Sequence, residues 1–93
     1  MENKRVHLFI HGRVQGVFFR ASVQQKALEL ELSGWVRNNS DGSVELTAEG
    51  EGDNVDSMIE WCRVGPSQAV VKHVSVDWET PSGELKEFRI EYI

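Results

Sequence analysis

Residues 5–30 read RVHLFIHGRVQGVFFRASVQQKALEL, and the spacing of apolar residues changes within that stretch. Over residues 5–11 it alternates, with Val6, Leu8 and Ile10 on one face and His7, Phe9 and His11 on the other, which predicts a strand. Phe19, Val23, Ala27 and Leu30 instead recur at helical spacing and predict one buried stripe over Phe19 to Leu30. The segment between them, GRVQGVFFR at 12–20, opens the helix, where backbone N–H groups lack intrahelical partners. Two readings of it stand. One is a plain turn. The other is a cradle in which Gly12 and Gly16 allow a close backbone approach. The amides of Gln15, Gly16, Val17, Phe18 and Phe19 then converge on the oxygens of an anion such as phosphate. Arg20 adds a planar donor fork suited to the same oxygens. A cation near a helix N-terminus is disfavoured by roughly 0.3–1 kcal/mol, and a bound anion reverses that balance. The stretch lacks the GK[ST] ending of a nucleotide-triphosphate loop.

Downstream, 34–39 and 43–49 read as two strands around Ser40-Asp41-Gly42, a hairpin signal in which Gly42 supplies a positive φ. Alternation places Val44, Leu46 and Ala48 inward and Glu45, Thr47 and Glu49 toward water. A second helix is expected from about Asn54 to Val64, with Val55, Met58, Ile59 and Cys62 as its stripe. Asp53 is its expected N-cap with Asp56 at N3, and Gly65-Pro66 its end. Residues 70–78 alternate again, with Val74, Val76 and Trp78 on one face. TPSG at 80–83 is a turn, and EFRIEYI at 87–93 a closing strand. The order is βαββαβ with an added terminal strand, which predicts an α+β two-layer sandwich with both helices on one sheet face. His7, His11 and His73 belong on the other face.

The chain has 93 residues, 40% of them hydrophobic, enough for a single domain over 1–93 with a modest core. No apolar run is long enough to span a bilayer, and the first residues lack the features of a signal peptide. Cys62 has no second cysteine to pair with, which fits a reducing compartment, so a cytoplasmic location is expected. With 10 Lys and Arg against 15 Asp and Glu, the net charge is −5. That balance argues against a nucleic-acid partner but leaves room for a small anion, because local potential can oppose net charge.

Other chemistries fit poorly. His7 and His11 stand four positions apart on a strand, roughly 13 Å between Cα atoms, too far to share a zinc whose ligand atoms lie about 2 Å away. No metal or cofactor is implied. Cys62 sits late in its helix and completes an apolar stripe, so it reads as core rather than nucleophile. Asn38 and Asn39 end the strand before the Ser40-Asp41-Gly42 turn. Asn39, next to the turn, suits local capping, whereas Asn38 is better placed to face a pocket and orient water there.

GRVQGVFFR at 12–20, GWVRNNSDGSVE at 34–45 and WCRVGPSQAVVKHV at 61–74 resemble, in spacing and order, the acylphosphatase family over essentially the whole chain. The resemblance implies a ferredoxin-like sandwich with a mainly antiparallel sheet. It also implies hydrolysis of the carboxyl–phosphate bond of acyl phosphates, with no metal and no covalent phosphoenzyme. Residues 14–19 become the phosphate loop, Arg20 the phosphate-binding arginine and Asn38 the water-positioning asparagine. One position departs from the family pattern LGLxGW. The chain has LELSGW at 30–35, with Glu31 where glycine is usual, so a left-handed backbone there would cost roughly 1 kcal/mol. A small acyl phosphate is the expected substrate, inorganic phosphate a product, and a monomer the expected state. The same βαββαβ order also occurs in RNA-recognition and regulatory ligand-binding domains. An anion- or RNA-binding module without catalysis, with Phe9 as a stacking residue, is therefore the alternative.

Overall fold

The computed structural model describes residues 2–92. The elements run β1 (Asn3–Arg13), α1 (Phe19–Glu29), β2 (Ser33–Asn38), β3 (Val44–Glu51), α2 (Gly52–Cys62), β4 (Val70–Glu79) and β5 (Phe88–Ile90). They form one sheet in the order β4-β1-β3-β2-β5. The pairs are antiparallel except β2 with β5, which is parallel. This is the ferredoxin-like α+β sandwich with an added terminal strand. The expected closing strand contracts to Phe88–Ile90, and Ile93 of that expectation lies outside the described residues.

The core forms where the helical stripes meet one sheet face. Val6, Leu8 and Ile10 of β1, Val36 of β2, and Val44, Leu46 and Ala48 of β3 are completely buried there. Val23 and Ala27 of α1 and Val55, Met58 and Cys62 of α2 close over them. In register, Leu8 faces Leu46 on one side and Val76 on the other. Trp78 shares this face, opposite Val6, but lies at the sheet's rim and is half exposed, with the Lys4 ammonium 5.2 Å from its ring centroid.

Three of the residues expected to face water are buried instead: Glu45, Thr47 and Glu49. Period two identifies their face correctly, but side chains and a distant loop cover it. Arg37 Nε and Nη2 donate to Glu45 Oε1 at 3.2 and 3.0 Å, and His7 Nε2 lies 2.7 Å from Glu45 Oε2. Trp35 packs edge-on to the His7 ring. Glu49 accepts from the Ser82 and Gly83 amides at 3.1 and 2.8 Å and from Arg5 Nη1 at 3.3 Å, so the 80–83 turn folds down onto β3. Burial pushes both carboxyls up. The hydrogen bonds from Arg37 and His7 on Glu45, and from the Gly83 and Ser82 amides and Arg5 on Glu49, outweigh it and hold both below the ordinary carboxylate value.

The helix ends also depart from expectation. The N-cap of α2 is Glu51, two residues before the expected Asp53, and no side chain caps it. Asp53 falls inside the first turn, where its charge favours the helix dipole, and Asp56 pairs with Lys4 at 3.2 Å. After α2, Gly65 (φ 72°) donates its N–H to the Trp61 carbonyl at 2.8 Å, as expected of a terminating glycine. At the end of α1, the Glu31 N–H reaches the Leu28 carbonyl and the Leu32 N–H the Ala27 carbonyl, a Schellman closure. Glu31 is left-handed there at φ 55°. Replacing it with glycine, Glu31→Gly, is expected to stabilise the fold by about 1 kcal/mol. Chemical denaturation is the check, and an unchanged midpoint at unchanged slope would mean that the strain is absorbed elsewhere.

Candidate active site

The site begins at an irregularity in β1. Its register with β4 shifts between His11 and Gly12, and Gly12 lies at φ 132° against the β4 backbone, where a Cβ would run into the Val70 carbonyl. The bulge turns the chain out of the sheet into the 14–19 loop. Val14, Val17 and Phe19 drop into the core, while Gly16 and Phe18 point outward. Phe19 packs edge-on to Trp61 at 5.8 Å, which fixes the start of α1 to α2. The loop is therefore pinned at three of its six residues, Val14, Val17 and Phe19.

Left-handed residues at Gly16 (φ 74°) and Phe18 (φ 61°) flank Val17. Such alternation turns successive N–H groups toward a common side, the geometry of an anion nest. Phe18 is the N-cap of α1, with no side-chain cap, and the first helical bond runs from the Ser22 N–H to the Phe18 carbonyl at 3.0 Å. Among the described residues, the backbone N–H groups of 15–19 find no protein acceptor.

Arg20 follows in the first turn, half-buried, with its guanidinium carbon 5.2 Å from the Tyr92 ring centroid. It takes part in none of the ion pairs formed among the described residues. Asn38 ends β2 opposite Val44. Its Oδ1 is the one buried side-chain polar atom without a hydrogen-bond partner among the described residues. Asn39 is consumed by the turn: its N–H donates to the Ser43 carbonyl at 2.9 Å and its Nδ2 to Ser43 Oγ at 3.0 Å. The two asparagines thus separate as expected, Asn39 into the hairpin and Asn38 toward the cleft.

Gly16, Phe18, Phe19, Arg20 and Asn38 line one cleft of about 300 Å³, together with Tyr92. Gln15 and Val17 are not among the residues that line it. Gln15 has a separate use. Its Nε2 donates to the Asn39 and Ser43 carbonyls at 2.7 and 2.9 Å and ties the loop to the β2–β3 turn. Sequence reasoning missed this clamp and also missed Tyr92 and Ile90, which reach the cleft because β5 pairs beside β2. No local signal announces either, since both depend on strand order.

Cys62 is fully buried, and desolvation pushes its thiol well above the usual range, the opposite of an activated nucleophile. Among the described residues, no group of three or more His, Cys, Asp or Glu is placed to hold a metal, and no helix is long and apolar enough to cross a membrane.

Fold and cleft together define a ferredoxin-like α+β protein whose β1–α1 loop offers unpaired amides beside an arginine. The sequence profile of the acylphosphatase family matches residues 6–90. An acylphosphatase of Pyrobaculum islandicum is 54% identical, over 97% of this chain and 96% of its own. Among solved structures, the acylphosphatase of Coxiella burnetii superposes with a TM-score of 0.91 at 44% identity, covering 96% of this chain and 93% of that one. That of Bacillus subtilis gives 0.92 at 36%, covering 96% and 99%. The chain belongs to the acylphosphatase family.

Proposed function

We propose that the amides of residues 15–19, Arg20 and Asn38 carry out acyl phosphate hydrolysis in this chain. The activity is that of the family: the carboxyl–phosphate bond is cleaved to a carboxylate and inorganic phosphate. One observation carries the assignment of residues. Among the described residues, five unpaired backbone donors, a guanidinium without a carboxylate partner and a buried unpaired amide oxygen belong to one loop and the cleft beside it. A phosphoryl group supplies acceptors for the amides and the guanidinium, and the attacking water supplies the donor that Asn38 Oδ1 lacks.

In this reading the loop amides and Arg20 hold the phosphoryl oxygens and stabilise the charge that moves onto them in the transition state. Their positions are fixed beforehand by Val14, Val17 and Phe19 in the core and by the Gln15 clamp, so little reorganisation accompanies reaction. Asn38 Oδ1 accepts a hydrogen bond from water and aims it at phosphorus, in line with the departing carboxylate. That leaving group is weakly basic, so no strong general acid is required. A phosphate oxygen is the nearest available acceptor for the water's proton.

We further propose that the chain acts as one domain over 1–93, as a cytoplasmic monomer, and without nucleic acid. The net charge of −5 and the exposed carboxylates Asp77 and Glu79 on the sheet face away from the helices support the last point. Phe9 on that face packs against the His7 ring at 5.0 Å. Acetyl phosphate incubated with the purified chain and a metal chelator should be hydrolysed at the rate seen without chelator. Intact acetyl phosphate under both conditions would end the reading; loss only with chelator would end its metal-free mechanism.

A further inference from the structure

One pair of side chains belongs neither to the core nor to the cleft. Spacing along β1 keeps His7 and His11 apart, but pairing across strands brings His11 beside His73, its register partner on β4. The two rings lie 5.9 Å apart between centroids, tilted by 34°. His11 is half-buried and His73 exposed.

Hydrogen bonding leaves both rings available. His7, by contrast, has both ring nitrogens taken, by Thr47 Oγ1 at 2.9 Å and Glu45 Oε2 at 2.7 Å. Among the described residues, His11 makes no side-chain hydrogen bond and His73 makes one, between Nε2 and Ser75 Oγ at 3.2 Å. With the Nε2 proton donated to Ser75, Nδ1 of His73 keeps the lone pair that a metal needs. Protonated, the facing imidazoles repel each other; neutral, each holds an unshared lone pair at the surface.

The separation suits one shared ion. A metal about 2.0–2.1 Å from an imidazole nitrogen lies roughly 3 Å from the ring centroid, so rings sharing it have centroids up to about 6 Å apart. The observed spacing falls within that limit, and a small side-chain rotation closes it to a bent nitrogen–metal–nitrogen angle. The surroundings favour a cation. Asp41, on the β2–β3 hairpin, is held below the ordinary carboxylate range first by the Ser43 hydroxyl and amide, and in smaller part by the charge of His11. A carboxylate thus stands within electrostatic reach of the pair.

We propose that His11 and His73 form a surface site for a divalent transition ion, Cu²⁺, Ni²⁺ or Zn²⁺, with water completing its coordination. The site is independent of the hydrolytic reading, and the ion takes no part in that chemistry. Imidazole suits these ions, whereas Mg²⁺ and Ca²⁺ require oxygen ligands, and Cu²⁺ binds most tightly of the three. The pair is the last before the register shift that launches the 14–19 loop. A bound ion therefore staples edge strand β4 to β1 beside the bulge and stabilises the folded chain.

The test titrates the full chain, stripped of metal, with Cu²⁺, and repeats the titration on His11→Gln and His73→Gln. The parent is expected to bind one Cu²⁺ whose electron paramagnetic resonance spectrum shows two nitrogen ligands, a reading that needs no variant to fold. Each variant should lose affinity by about a hundredfold, because a single imidazole lacks the advantage of a paired ligand. The rise in unfolding temperature that Cu²⁺ produces in the parent should vanish with it, and Mg²⁺ should produce none. A parent spectrum with fewer than two nitrogen ligands, or variants that bind Cu²⁺ as the parent does, overturns the site. Metal-free turnover of acetyl phosphate is measured separately, so either result leaves the hydrolytic reading standing.

Discussion

Arg20→Ala is expected to lower kcat/KM for acetyl phosphate by on the order of a thousandfold, with inhibition by inorganic phosphate lost alongside. Both effects follow from one missing donor fork, because substrate and product present the same phosphoryl oxygens. Stability should move little or rise slightly. The substitution removes a cation from the unfavourable end of α1, breaks no ion pair formed among the described residues and forfeits only the contact with the Tyr92 ring. A folded variant with near-parental phosphate inhibition would show that the amides alone hold the phosphoryl group. Arg20→Lys should recover only part of the loss, since an ammonium keeps the charge without the planar pair of donors.

Asn38→Ala should divide the kinetic constants differently. Its expected effect is a fall in kcat of roughly a hundredfold, with inhibition by inorganic phosphate close to that of the parent. The side chain ends in a buried oxygen with no partner among the described residues, so truncation removes an unsatisfied group rather than breaking a bond. Thermal unfolding near the parental temperature would confirm that the loss is not one of folding. If phosphate inhibition weakens as much as turnover, Asn38 is holding the phosphoryl group and not the water. Asn38→Asp is a sharper comparison, because a carboxylate there repels the anion and should raise KM as well.

Much of this was legible in the sequence because the decisive signals are local. Period two over 5–11, the stripe from Phe19 to Ala27 and the Gly42 hairpin each rest on residues within a few positions of one another. The separation of Asn38 from Asn39 was legible for the same reason: one is adjacent to the turn and one is not. Glu31 was the informative exception, read as a misplaced residue and found with its backbone left-handed. What could not be read is what distant segments contribute. Alternation assigns Glu45 and Glu49 to a face, but Arg37, His7 and the 82–83 amides decide whether that face is wet. Asp53 looked like a cap because its type suits one. The helix starts earlier because Gly52 is held by its N–H to the Glu2 carbonyl at 3.0 Å, a bond that continues the β1–β3 pairing past Asn3 and Glu51.

The Gln15 clamp has a consequence for how the molecule acquires its activity. The loop comes from residues 14–19, the asparagine from the end of β2, and Tyr92 follows β5. β1 meanwhile lies between β3 and β4, partners far along the chain, so central pairing waits on the closure of long loops. Chains with such non-local contacts fold slowly for their size. A fragment ending after α1 would contain all of GRVQGVFFR and yet lack the hairpin carbonyls that hold Gln15. During synthesis or refolding, the ability to turn over substrate would therefore emerge late, as a clock for completion of the sheet rather than for formation of the helices.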